Sequence, residues 1–140
     1  MKRAGPSILA LFAALAVTEV AHAASVEVRV SGVANGKGEI VVTACDKATF
    51  LKTCPISAKA PAAVGVVTVR LPNVPAGEWA FMAFHDQDGD GAMKKTALGL
   101  PADGVGLSRA PKARFGPPKF EDSAVVIGAT PLDVAIGLKY

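Results

Sequence analysis

Glu78-Trp79-Ala80-Phe81-Met82-Ala83-Phe84-His85 is the stretch that decides the fold. Read with a period of two, Trp79, Phe81, Ala83 and His85 share one face, and Ala80, Met82 and Phe84 share the other. A strand with one face in water alternates apolar with polar residues, so a strand that is apolar on both faces must be covered on both sides. The stretch therefore predicts a central strand, and the rest of the chain has to supply its two covers.

Working outward, the flanking segments also read as strands. Val26, Val28 and Val30 alternate with Glu27 and Arg29, the pattern of a half-buried strand. Asn35-Gly36-Lys37-Gly38 supplies residues that accept positive φ and predicts a hairpin turn into a second strand, Glu39 to Cys45. Asp46 to Pro61 reads as an excursion, partly helical or irregular. Val64 to Leu71 is a third strand, Pro72 to Gly77 a turn, Ser123 to Ile127 a further strand. Leu132, Val134, Ile136, Leu138 and Tyr140 alternate with Asp133, Ala135, Gly137 and Lys139 as the closing strand. The pattern predicts an all-β fold. It is an immunoglobulin-like or transthyretin-like β-sandwich of about seven strands with one long Gly/Pro-rich loop, a small barrel being the alternative. No repeat or linker divides it.

The N-terminus has the pattern of an export leader. Lys2 and Arg3 precede an apolar run from Ile8 to Val17, and Ala21-His22-Ala23 is a small-x-small cleavage signal. Residues 1–23 are expected to be removed, leaving a single domain over 24–140. The apolar run falls short of the roughly 20 residues that span a bilayer, and no second long apolar run follows. The destination is periplasmic or secreted. A formal net charge of +3 is too mild to indicate nucleic acid as a partner.

Cys45 and Cys54 are the only cysteines. In an oxidising compartment their simplest fate is a disulfide with each other. A redox-active pair would more usually be Cys-x-x-Cys at a helix start, and metal binding lacks further ligands nearby.

Chemistry is concentrated between His85 and Asp122. Asp86-Gln87-Asp88-Gly89-Asp90-Gly91 sets carboxylates at alternate positions before a glycine, a spacing that suits Ca²⁺. Asp86, Asp88 and Asp90 are the candidate ligands. The match stops there, because Lys94 and Ala97 stand where a calcium loop continues with oxygen donors. A self-satisfied Asx/Gly turn is the competing reading. No cofactor is required by the pattern, and Ca²⁺ is the one it admits. His85 beside Asp86 could form a base and its orienter, but no nucleophile signature accompanies them. His22 leaves with the leader, which excludes a multi-histidine site. The second half of the loop is basic. Arg109, Lys112, Arg114 and Lys119, with His85, are candidates to hold an anionic ligand.

Several segments in a fixed order carry a resemblance: Cys45…Phe50…Cys54, Pro75-Ala76-Gly77-Glu78-Trp79-Ala80, His85-Asp86-x-Asp88-Gly89-Asp90-Gly91, Leu98-Gly99-Leu100-Pro101, Gly106-Leu107-Ser108 and Gly116-Pro117-Pro118-x-Phe120-x-Asp122. The chain resembles a bacterial family of exported proteins catalogued as domain of unknown function 2141. The resemblance implies a secreted β-sandwich with no established activity. Lys94 stands where that family often has an acidic residue, and Leu107 where it often has an aromatic one. The reading that results is an exported, non-enzymatic binding or envelope-associated module. Its partner is an envelope component or a small anionic ligand. A small periplasmic hydrolase using His85 and Asp86 is the alternative.

Overall fold

The computed structural model describes residues 5, 10, 12–16, 23–95, 97–98, 102–112 and 116–140. Residues 1–4 and 17–22, with the leader's basic start and most of its cleavage signal, lie outside them. So do Leu100, Arg114 and Phe115.

Two sheets pack face to face as a sandwich. One has three strands: β1 (Ala23–Val33) lies between β4 (Gly65–Pro75), antiparallel to it, and β8 (Leu132–Gly137), parallel to it. The other has five. Its order is β3 (Ile56–Pro61), β2 (Glu39–Cys45), β5 (Gly77–Asp86) and β6 (Val105–Leu107), with β7 (Ala124–Ile127) on the same edge of β5 as β6. A four-residue helix, α1 (Phe120–Ser123), leads into β7. The period-two pattern dictates the core: Val26, Val28 and Val30 of β1 face Ile40, Val42, Phe81 and Ala83 of the other sheet, all fully or almost fully buried. Burying each such side chain stabilises the fold by roughly 1.5–3 kcal/mol.

The central-strand expectation for 78–85 holds. β5 pairs with β2 on one side and with β6 and β7 on the other. Its second face is largely covered too, Ala80 and Phe84 being buried and Met82 half-buried. Cross-strand rows there run Val41–Phe84–Val105, Thr43–Met82–Leu107 and Cys45–Ala80–Ala124. The long loop therefore contributes a strand to the edge of this sheet and extends its apolar rows.

Four expectations are corrected. The turn after β1 is not a hairpin, since β1 and β2 lie in different sheets. Residues 34–38 instead carry the chain across the sandwich. The Asn35 side-chain amide donates to Gln87 Oε1 at 3.1 Å, and Lys37 N–H donates to Asn35 Oδ1 at 2.9 Å. Gly38 has φ 68° and passes directly against the Asp86 carbonyl, where a Cβ has no room. Second, Ile56–Pro61 is a regular strand; its alanines gave a weak β signal, but Ile56, Ala58 and Ala60 still face inward. Third, β4 runs through Pro72 to Pro75, which the position of β4 at a sheet edge tolerates. Fourth, β6 adds an eighth strand. Val105 also exchanges two backbone hydrogen bonds with Lys139, both at 2.9 Å, joining the sheets at one corner.

Candidate functional site

The gap between β6 and β7 organises the surface of interest. β6 pairs with Met82–Phe84 and β7 with Gly77–Ala80, which leaves Phe81 opposite neither. Ser108 fills the gap. Its N–H donates to the Phe81 carbonyl at 2.8 Å, its Oγ accepts the Phe81 N–H at 3.0 Å, and its hydroxyl donates to the Ser123 carbonyl at 2.6 Å. It is fully buried and splices two short strands into one edge.

The chain then turns sharply. Arg109 and Ala110 have φ of 62° and 40°, left-handed conformations that cost a non-glycine residue roughly 1–2 kcal/mol each. Arg109 Nη1 donates to the carbonyls of Glu121 at 3.2 Å and Ala124 at 3.3 Å. The guanidinium is thus tied across α1 and the start of β7. Its remaining N–H groups have no hydrogen-bond partner among the described residues.

The third part comes from the segment between the cysteines. Cys45 and Cys54 form a disulfide, with Cα atoms 4.7 Å apart. Inside it, Asp46 Oδ1 accepts from Thr49 N–H at 2.9 Å and from its hydroxyl at 2.8 Å. These two bonds stabilise the charged form and hold the Asp46 carboxyl below the usual aspartate range. The turn presents Phe50 edge-on to Phe120, with ring centroids 5.8 Å apart, and Lys47 to Glu121, Nζ to Oε1 at 2.7 Å. The Glu121 hydrogen bond and charge raise the Lys47 ammonium above its ordinary value; Lys47 holds the Glu121 carboxyl below the usual glutamate range.

Where these parts meet, a cleft of about 300 Å³ opens at the surface. Phe120, Ala124 and Val126 give it apolar surface; Lys47, Glu121, Arg109 and Glu78 give it charge. Lys47 and Glu121 neutralise each other. Glu78 takes part in no ion pair among the described residues.

Of the predicted ligand residues that are described, the cleft contains Arg109 alone. Lys112 and Lys119 are exposed and do not line it; Arg114 lies outside the described residues. His85 is fully buried between the sheets. Its Nε2 lies 2.7 Å from the Lys37 carbonyl and so donates to it. In the neutral ring, Nδ1 then accepts from the Tyr140 hydroxyl at 2.8 Å, which itself accepts from Ala34 N–H at 3.0 Å. Neither ring nitrogen is left to take a proton from a nucleophile, so this geometry lends the hydrolase alternative no support.

The aspartates are spent locally. Asp86, buried, accepts Gly91 N–H at 2.7 Å; Asp90 accepts Ala92 N–H at 3.0 Å; Asp88 pairs with Lys94. The Asp88 hydrogen bond and charge raise the Lys94 ammonium. Among the described residues no three His, Cys, Asp or Glu side chains gather where one ion could be held. A cation here would compete with the Lys94 ammonium for Asp88. Asp103, also buried, accepts Lys94 N–H at 2.8 Å, and the Ala102 N–H donates to the Lys94 carbonyl at 2.8 Å, tying Ala102 and Asp103 back to Lys94.

Sequence reading missed Lys47, Glu78 and Ser108 as site residues. The signal available was the pairing of Phe50 and Phe120, both carried in the quoted motifs, which places the disulfide turn against α1.

The fold and site together define a disulfide-closed β-sandwich whose long loop adds a strand to the edge of the larger sheet and ends in a charged cleft. The chain belongs to a family of uncharacterized proteins conserved in bacteria, DUF2141, whose model matches residues 28–135. No curated protein and no solved structure is matched by the chain. No helix among the described residues is long and apolar enough to cross a membrane.

Proposed function

We propose that this protein is an exported, non-enzymatic binding module of the cell envelope, and that its cleft holds a small ligand through an anionic group at Arg109. Export is supported by the leader pattern of residues 1–23 and by a disulfide that an oxidising compartment preserves. The observation that carries the binding reading is Arg109. Two consecutive left-handed residues and two backbone carbonyls fix its guanidinium at the rim of the cleft. Strained backbone persists where the surrounding structure over-determines it, and such positions cluster at ligand clamps. A guanidinium with donors to spare, already held in place, meets an oxyanion at little cost in side-chain entropy.

The test is a titration of the disulfide-intact protein with inorganic phosphate and ethyl phosphate, followed by NMR shifts of the Arg109 Nε–H and the Phe120 amide. Saturable shifts at both are expected. Charge-assisted hydrogen bonds contribute roughly 1.5–3 kcal/mol, so Arg109→Gln should weaken binding at least tenfold. Arg109→Lys, which keeps the charge but loses the fork, should fall between. Shifts that track ionic strength alone would remove Arg109 from the account.

A further inference from the structure

The charges of the cleft do not balance as an anion site. Lys47 and Glu121 satisfy each other, which leaves Arg109 and Glu78 as the two groups with capacity for a ligand. Glu78 takes part in no ion pair among the described residues, and its field also reaches Lys47, after the larger contributions of Glu121. A purely anionic ligand at Arg109 would bring its charge towards this carboxylate.

We infer that the cleft selects a zwitterion, with a primary ammonium set against Glu78 and an oxyanion against Arg109, both over the apolar surface of Phe120 and Val126. The inference rests on the binding reading above. The strand register supplies its scale. Glu78 lies directly opposite Val126 on the neighbouring strand, and Arg109 is anchored on the carbonyl of Ala124, two residues away along β7. Two residues of a β-strand span about 7 Å. Side chains reaching inward from anchors that far apart suit a short ligand, with two or three atoms between its charged groups. Phosphoethanolamine has this chemistry, whether free or as the headgroup of a lipid, and so does a small amino acid.

The experiment compares phosphoethanolamine with ethyl phosphate, which has the same phosphate and spacer length but no ammonium, on the wild type and on Glu78→Gln. Glu78 is exposed, so the variant should fold; its melting curve checks that. An exposed ion pair contributes up to about 1 kcal/mol, a factor of about five. Phosphoethanolamine is expected to bind wild type about fivefold more tightly than ethyl phosphate, and Glu78→Gln should erase that difference by weakening phosphoethanolamine alone. Equal binding of the two compounds by wild type, or an unchanged preference in Glu78→Gln, overturns the zwitterion assignment while leaving an anion cleft standing. If neither compound binds, the binding reading falls and takes this inference with it. Vesicles with and without phosphatidylethanolamine, set beside free β-alanine, distinguish the lipid source from the soluble one.

Discussion

Replacing Ser108 with Ala tests the claim that one hydroxyl splices the edge of the larger sheet. The substitution removes the acceptor of the Phe81 N–H at 3.0 Å and the donor to the Ser123 carbonyl at 2.6 Å, both in fully buried surroundings. Alanine is too small to clash, and the Ser108 N–H keeps its bond to the Phe81 carbonyl. The loss is therefore two stranded backbone groups, each costing about 1–3 kcal/mol. Allowing for partial relaxation, the expected destabilisation is about 2–4 kcal/mol. For a domain of this size that lowers the melting temperature by on the order of 10 °C. Urea unfolding of the oxidised protein at fixed pH measures it, with the slope unchanged so that the midpoint shift reports stability. Ser123 supplies the control. Its hydroxyl is buried with no partner among the described residues, so Ser123→Ala should stay within about 0.5 kcal/mol of wild type or gain slightly. A Ser108→Ala protein as stable as wild type, or a Ser123→Ala protein as damaged as Ser108→Ala, would refute the splice.

Gly106→Ala should cost about 3 kcal/mol, because the added Cβ would collide with the Gly137 carbonyl and the Ile136 side chain at the corner where the sheets join; a melting temperature equal to that of wild type would show the corner to be loose. Cys45→Ser/Cys54→Ser should lose about 2.5 kcal/mol from the nine-residue separation by the loop-entropy model, read as a urea midpoint, while native protein without reductant should label with no thiol reagent. The Lys47–Glu121 pair should make docking of the disulfide turn pH-dependent at both ends. The lowered Glu121 group contributes above the ordinary glutamate range and loses its effect as pH falls through its lowered value; the raised Lys47 group contributes below the ordinary lysine range and loses its effect as pH rises through its raised value. In Lys47→Met the Glu121 carboxyl should therefore titrate at a higher pH by NMR, and an unchanged midpoint would show that the two do not meet in solution.

Period-two patterning made β1, β2, β5 and β8 legible because each has large apolar residues on an inward face. It was weaker where the residues themselves are weak signals. β3 turns only Ile56, Ala58 and Ala60 inward, and alanine does not advertise a strand. β6 is three residues long, too short for any periodicity. Sheet membership was not legible at all. Asn35-Gly36-Lys37-Gly38 has the composition of a hairpin turn, and what sends it across the sandwich is the close pass of Gly38 against the Asp86 carbonyl, a contact nearly 50 residues distant in the chain. The site was half legible for a related reason. Charge density pointed to residues 85–122, but the cleft is completed by Lys47 and Glu78, which reach it only through the disulfide turn and the β5–β7 register.

The aspartates also explain why the cleft lies where it does. A loop this long would ordinarily be mobile, with few partners for its backbone. Here two buried carboxylates, Asp86 and Asp103, each accept a loop amide, and Ser108 ties the loop to β5. Asp86, in the stretch with the spacing of a cation loop, is one of these internal anchors, and Lys94 lies beside Asp88 as its ion-pair partner. These anchors make the described segments of the loop part of the fold. Its far end then delivers Phe120 against Phe50 and Arg109 across α1 at defined positions. A cleft assembled from parts held this way loses little conformational entropy when a ligand enters. Loosening the aspartate anchors should therefore weaken binding at a cleft they never touch: Asp103→Asn, which halves the carboxylate's acceptor capacity at Lys94 N–H, should lower affinity for the probe ligands more than it perturbs the sandwich core.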